Sequence, residues 1–512
     1  MLLTIHHLSL EHQGDFRPLV HDLVLNVNQG DKVAIIGEEG NGKSSLLKVL
    51  LGLEEAFDYL SLSGSICRQY HSFAYIPQSL PRHMEKQTLN DYFFGDVDAA
   101  IDYRLLYQYA EELQFDSERF ASQQELFSLS GGEQLKIQLI KELACPFEIL
   151  FLDEPSNDLD LETVLWLERY IAASDKAIMF VSHDEALLTR TATKIVHLTS
   201  VKKKTIAKTI VADNDYQQYR QNQHNAYEKQ FKQARNDRKE FEKVMAKHLR
   251  QKSQVRHTLL NTHDATAGRL VAKKMKSVQS REKRYEIVKD NLTEIPFSEE
   301  HIALFFSDIS PLKMTTPLLR LESWPLEVAG KCLISHVSLN LLAQEKIGIV
   351  GANGVGKSTL LKLVYEQLKE RQDVLLGYMP QRYEDSLDDS KTILDFLIGD
   401  GGREKEELAL TYLARLPLTR QEVHHKICEL SGGQKAKLLL LKMVLDKANF
   451  LLLDEPSRNF SAGSQPHLRQ LFSNYPSGLI CVSHDRQFLR EVCDKVYRLS
   501  DKGLEEIDIS IL

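Results

Sequence analysis

No window of this 512-residue chain approaches the eighteen or so consecutive apolar residues that a membrane-spanning helix needs, and its richest run, Leu438 to Leu445, is broken by Lys442. The sequence therefore excludes a protein that crosses the bilayer by its own helices. The first residues, MLLTIHHLSLEHQGD, lack a basic segment followed by an apolar stretch, so no secretory leader is read there and a cytoplasmic location is expected. Cysteine is sparse: the six (Cys67, Cys145, Cys332, Cys428, Cys481 and Cys493) are scattered without a C-x-x-C pair, which excludes the common zinc and dithiol motifs. Excess positive charge is also missing, the net being −8, so the surface as a whole is not built for nucleic acid.

That charge is unevenly spread. Tyr216 to Asp290 carries 19 Lys/Arg against 8 Asp/Glu, a local balance of +11 that leaves −19 for everything else. A basic block between two acidic regions reads as a polyanion-facing element or as a solvated helix surface.

What the chain does have is an internal repeat. Gly37-Glu38-Glu39-Gly40-Asn41-Gly42-Lys43-Ser44 is followed by Gln78, Ser130-Gly131-Gly132, Asp153-Glu154 and His183. The same series returns as Gly351-Ala352-Asn353-Gly354-Val355-Gly356-Lys357-Ser358, Gln381, Ser431-Gly432-Gly433, Asp454-Glu455 and His484. The serines, glutamates and histidines are each offset by 301 residues but the lysines by 314, so the second copy is shorter, mainly between the glycine loop and the glutamine. Each copy reads as α/β: an apolar strand ends in the glycine loop and an apolar-periodic helix follows.

Strand, glycine loop and helix in that order make a phosphate cradle, because glycines let backbone N–H groups wrap an anion at a helix N-terminus. Lys43 and Lys357 are expected at the β/γ-phosphates. Ser44 and Ser358, flanked by Ser45 and Thr359, are expected on Mg²⁺, with Gln78, Gln381, Asp153 and Asp454 completing its shell. Adjacent acids at the end of an apolar strand divide the labour of phosphoryl transfer, the second (Glu154, Glu455) polarising the attacking water. His183 and His484 are assigned to sensing the γ-phosphate.

Leu-Ser-Gly-Gly at 129–132 and 430–433 resembles the signature of ABC ATPases, and the resemblance covers roughly residues 1–200 and 317–512. It implies two nucleotide-binding domains closing head to tail. Site one would combine Lys43, Ser44, Gln78, Asp153, Glu154 and His183 with Ser431, Gly432 and Gly433; site two would combine Lys357, Ser358, Gln381, Asp454, Glu455 and His484 with Ser130, Gly131 and Gly132. Two departures stand out. Glu154 is followed by Pro-Ser-Asn-Asp-Leu-Asp160, close to the family's D-loop, whereas Glu455 is followed by Pro-Ser-Arg458-Asn459-Phe460-Ser461, which lacks the aspartate. Unequal hydrolysis at the two sites is expected from this. An adenine-stacking aromatic is obscure, Phe16 and Trp324 being the candidates.

Between the repeats, apolar residues at Tyr216, Tyr219, Tyr227, Phe231, Ala234, Phe241, Met245 and Leu249, then at Val271, Met275, Val278, Tyr285 and Val288, follow helical spacing. This predicts two antiparallel helices with a tip near 256–268. The domains are accordingly read as 1–205, a linker over 206–300, and 301–512. Tandem ABC domains with a long charged helical linker and no membrane domain resemble the ABC-F family, ribosomal E-site translation factors. The second D-loop and extended tip look like its antibiotic-resistance branch related to the Vga and Lsa proteins. That resemblance implies ATP and Mg²⁺ as cofactors, ribosomal RNA and P-site tRNA as partners, a monomer, and protection from lincosamides, pleuromutilins and streptogramin A. Rival readings are a housekeeping ABC-F factor, the ATPase subunit of a membrane exporter, and a DNA-repair ATPase; the last carries its insert inside a nucleotide-binding domain.

Overall fold

The structure is a computed structural model of the full chain. It describes all residues except 39, 82–83, 96–99, 157–158, 202–205, 261–272, 279, 282–284, 286–305, 307–308, 329, 400, 414–424 and 510–512. The chain divides into two compact units, residues 1–216 with 299–512, and residues 217–298.

The first unit holds two six-stranded sheets with one topology. In the first half the spatial order is Phe73–Ile76, Ile149–Asp153, Ala177–Val181, Lys32–Gly37, Lys194–Val201, Ile206–Ala212; in the second it is Leu376–Met379, Phe450–Asp454, Gly478–Val482, Lys346–Gly351, Lys495–Ser500, Gly503–Ile507. Five strands of each sheet are parallel and the last is antiparallel. The strands that carry function, Ile149–Asp153 and Phe450–Asp454, are buried along their whole length. This is why they read as unbroken apolar runs rather than as alternating ones.

One expectation is corrected here. Ile206–Ala212, read as the start of the linker, pairs with Lys194–Val201 as the edge strand of the first sheet. The lysine run at 202–204, just before it in the sequence, interrupts the apolar pattern by which a strand is recognised. The shorter spacing in the second copy also acquires a cause. The first half has a three-stranded antiparallel sheet (Pro18–Val27, Leu3–His12, Leu60–Arg68), while the second half pairs only Pro317–Val328 with Lys331–Leu342. Among the described residues no strand corresponds to Leu60–Arg68, and the chain passes from the helix Lys357–Leu368 directly towards Leu376–Met379.

The second unit holds, from residue 217 on, the 45-residue helix Tyr216–Leu260, and a helical segment at 273–278. At 1.5 Å per residue the helix is about 67 Å long. Beyond Tyr216 and Tyr219, buried at its start, its buried positions Ala234, His248 and Val255 fall in a seven-residue register and make one narrow stripe. The expected stripe was off at two places: Phe231 and Leu249 are exposed, and His248 takes the inward position, its ring 5.0 Å from that of Tyr285. Apolarity was a poor guide because burial along a helix follows angle, and 248 continues the register that 249 leaves. Residues 261–268 of the expected tip lie outside the described residues.

Candidate functional site

Both glycine loops are fixed by backbone geometry. Gly42 and Gly356 cap the helices Lys43–Leu51 and Lys357–Leu368 in left-handed conformations, and a Cβ at either would press on Leu19 or Leu326 within 3 Å. Only glycine fits, since it alone combines positive φ with no side chain. The buried ammonium of Lys43 donates to the carbonyls of Gly37 (3.0 Å) and Glu38 (3.1 Å), curling the loop around itself. Lys357 does the same with Gly351 (2.9 Å) and Ala352 (3.0 Å), and burial lowers its pKa. Each lysine thus sits at the rim of its cradle, satisfied by carbonyls that a phosphate would replace.

At the next strand end, the hydroxyl of Ser44 donates to Asp153 Oδ1 at 3.0 Å, and Ser358 hydrogen-bonds Asp454. Burial pushes both aspartates up to about 6, with the neighbouring glutamate adding to it. Asp454 Oδ1 is buried without a hydrogen-bond partner. A buried acid with a spare oxygen beside a serine hydroxyl is a hard-oxygen donor set short of a cation, and it fits Mg²⁺, which takes one or two carboxylates together with substrate phosphates. Ser44 with Asp153, and Ser358 with Asp454, are the residues that would hold it.

Glu154 and Glu455 both stand at φ 51°, in the left-handed region that a glutamate rarely adopts. The same unusual conformation at both repeat positions turns each carboxylate out of the strand direction. Glu154 Oε1 lies 3.0 Å from His183 Nε2, and Gln78 Nε2 donates to Oε2 at 3.2 Å. Glu455 Oε1 lies 3.5 Å from His484 Nε2, and the backbone N–H of His484 donates to Oε2 at 3.3 Å. Gln381 is exposed. Burial raises Glu455 to about 7.

A cleft of about 450 Å³ opens over the first cradle, lined by Gly40, Gly42, Lys43, Ser44, Ser45, Gln78, Glu154 and His183. The second half contributes Arg458 and Asn459 to it, while Ser431, Gly432 and Gly433 are not among its lining residues. His12 and Tyr59 line the other side, with ring centroids 6.4 Å apart, whereas Phe16 is 79% exposed and Trp324 42% exposed. Sequence reading missed His12 and Tyr59 because neither lies in a motif. Their signal was the extra strand of the first half, whose ends bring Tyr59 next to His12.

The signature serines act as helix caps. Ser130 Oγ accepts from the Glu133 N–H and the Ser130 N–H donates to Glu133, and Ser431 and Gln434 repeat the arrangement at the helix Gly432–Leu445. Gly131 and Gly132, like Gly432 and Gly433, then open the first turn, where amides are available to an anion. The halves meet at several of these loops. Glu38 of the first glycine loop accepts hydrogen bonds from Ser461 and Ser464 of the second half, each at 2.9 Å, with Lys437 Nζ 3.9 Å away. Gln465 donates to the carbonyl of His183 at 2.9 Å, and Asp160 acts electrostatically on Lys357.

Two phosphate cradles, each with a paired acid and a histidine at the strand ends of a parallel sheet, define a tandem P-loop ATPase. The family described as "ABC transporter" matches residues 20–157 and 334–458, about half of the chain, and the chain belongs to that family. Its ATP-binding domains make it an ATPase. It is 28% identical to the "Putative ATP-binding protein YdiF" of Bacillus subtilis, over 99% of this chain and 81% of that protein. It is 27% identical to the "Probable ATP-binding protein YheS" of Escherichia coli K12 (98% and 79% covered) and to "ABC transporter F family member 2" of Arabidopsis thaliana (95% and 75%). Among solved structures it resembles an archaeal ribosome recycling factor, aABCE1, in complex with the ribosomal stalk protein aP1, at a TM-score of 0.60 and 17% identity over 98% of this chain and 90% of the other. A protein titled "RNase-L Inhibitor" matches at a TM-score of 0.59, also at 17% identity and over the same shares of the two chains. At that identity the likeness is one of fold. Among the described residues no helix is long and apolar enough to cross a membrane.

Proposed function

We propose that this protein is an ATP-dependent ribosome-binding factor of the ABC-F kind. The observation that carries the reading is the joint between the halves, where a transporter would have no need of a 45-residue helix in a segment of net charge +11. Exposed cations on a helix suit a phosphate backbone, whose neutralisation releases counterions. The F-family relatives, which align over nearly the whole chain, and the ribosome-associated proteins named among the structural neighbours support it. ATP held between the halves, with Mg²⁺ on the two Ser–Asp pairs, is proposed to keep them closed on the ribosome until Glu154 and Glu455 direct water at the γ-phosphate.

Sedimentation with ribosomes in a non-hydrolysable ATP analogue tests this. Binding is expected to weaken steeply with salt, and Lys273→Glu, Lys274→Glu and Lys276→Glu together, all exposed, are expected to weaken it further while basal ATP turnover stays near wild type. Pelleting with membranes instead, or salt-independent pelleting, would overturn the reading.

Protection of translation from lincosamides, pleuromutilins or streptogramin A is a narrower proposal that rests on the resemblance of linker and second D-loop. A housekeeping role is favoured by one observation: Ser461, the departure that suggested the resistance branch, has a structural task of its own as a donor to Glu38. Translation assays with a pleuromutilin separate the two. Rescue by wild type that is lost on deleting Leu259 to His263 supports protection, and unchanged inhibition supports housekeeping.

A further inference from the structure

The repeat offset of 301 residues pairs Glu168 with Arg469, Glu185 with Arg486, and Arg190 with Glu491 as equivalent positions in the two halves. All three are opposite in charge. In the structure Arg486 binds Glu168 and Arg469 Nη2 lies 2.8 Å from Glu185, so each inner pair joins one half to the other. The outer members stay at home: Arg190 lies 2.7 Å from Glu168, and Glu491 lies 2.9 Å from Arg469. Glu168, Arg469 and Arg486 are each at least 96% buried, and Arg190 and Glu491 are about half exposed. Burial raises Asp184 to about 6, and the charge of Asp485, its equivalent in the other half, adds to the shift.

A contact of this kind is isologous: if position i of one half meets position j of the other, then j meets i across the same axis. Two identical halves would therefore put Glu168 against Glu185 twice, or Arg469 against Arg486 twice. Each such pairing buries like charges, which costs far more than the surface repulsion of solvated groups. The halves as found place one acid and one base in each contact. We infer that this face is charge-coded so that each ATPase half accepts only its unlike partner, which directs closure within one chain and bars like-with-like pairing of halves between copies. This goes beyond the ribosomal role and does not depend on it.

Exchange of charge tests the inference in the full chain. Glu168→Arg, Glu185→Arg and Arg190→Glu make both inner faces basic, and Arg469→Glu, Arg486→Glu and Glu491→Arg make both acidic. Each triple variant is expected to lose ATP turnover by about 10-fold or more, as breaking buried charge pairs does. The six-fold variant, with all charges exchanged between the halves, is expected to return to within about 3-fold of wild type, because complementarity is restored. Mixing the two triple variants should give a 1:1 heterodimer by sedimentation velocity, with turnover regained. Wild-type turnover in either triple variant would overturn the inference. If a triple variant fails to fold, the six-fold variant still decides: folded and active it upholds the code, inactive or unfolded it overturns it.

Discussion

The two halves share a fold and a motif order, yet their D-loops solve one electrostatic problem in different ways. In the first half Asp160, on the D-loop, lies 3.2 Å from Lys136 of the same half. The equivalent lysine of the second half, Lys437, faces a D-loop whose aspartate has become Ser461, and the acid near it is Glu38, from the glycine loop of the first half. Ala352 stands where Glu38 would be in the second glycine loop. The carboxylate has in effect crossed the interface. Loss of a motif residue is therefore not loss of its charge, and the first cradle is tied to the opposite D-loop segment by the hydroxyls of Ser461 and Ser464.

The largest expected effect tests how far the halves remain equivalent. Glu154→Gln together with Glu455→Gln should lower ATP turnover by about 100-fold or more while nucleotide binding persists, since a positioned base contributes about 10²–10⁴-fold. The single variants, measured by single-turnover hydrolysis, should differ from each other; equal losses would mean that the asymmetric interface has no kinetic counterpart.

Asp454→Asn sharpens the comparison through stability. Its pKa is raised to about 6, so the folded state favours the neutral acid, and the group's contribution to stability is lost as pH rises through 6. A neutral amide should then raise the Tm of the nucleotide-free protein at pH 7.5, and calorimetry should find the gain shrinking as pH falls through 6 and gone only below about 3.8, the ordinary value of an aspartate. Mg²⁺-dependent turnover should fall sharply in the same variant, because the amide has lost the anionic ligand. A lowered Tm at pH 7.5 would contradict the burial argument.

Moving the acid back across the interface is a smaller change. Glu38→Ala removes the acceptor shared by Ser461 and Ser464 and the carboxylate near Lys437, and should weaken closure by about 1–3 kcal/mol, near 10-fold in the apparent ATP affinity of site one. Glu38→Ala with Ser461→Asp gives the first cradle the arrangement of the second and should recover most of that loss. If the double variant is worse than the single, the acid has not simply been relocated.

The smallest effect is in pH. Glu455 ionises at about 7, so turnover limited by the second site should rise by about 3-fold as pH increases from 6.5 to 7.5. In Glu455→Gln that rise should flatten, as a pH-stat assay of ATP turnover would show.

Much of the site was legible because backbone geometry dictates it. Gly42 and Gly356 admit no other residue, and the strands before Asp153 and Asp454 are apolar on both faces because both faces are buried. Illegible were the relations between distant residues, such as Glu38 with Ser461, 423 positions apart, and the edge strand Ile206–Ala212, whose residues Ile-Ala-Lys-Thr-Ile-Val-Ala do not alternate apolar with polar. His248 escaped because a polar residue on an inward register is invisible to a search for apolar stripes. The charge inversion at Glu168 and Arg469 was readable in principle, since the 301-residue offset sets these positions against each other.

That inversion also bears on how such a gene can change. Recombination between its two repeats, which ordinarily keeps duplicated segments alike, would here copy one set of charges over the other and bury two repelling pairs in the product. Descendants in which the halves had been homogenised would fold poorly or fail to close. The duplication is thereby held open: the halves must go on diverging as complementary partners, and neither can serve as a spare for the other.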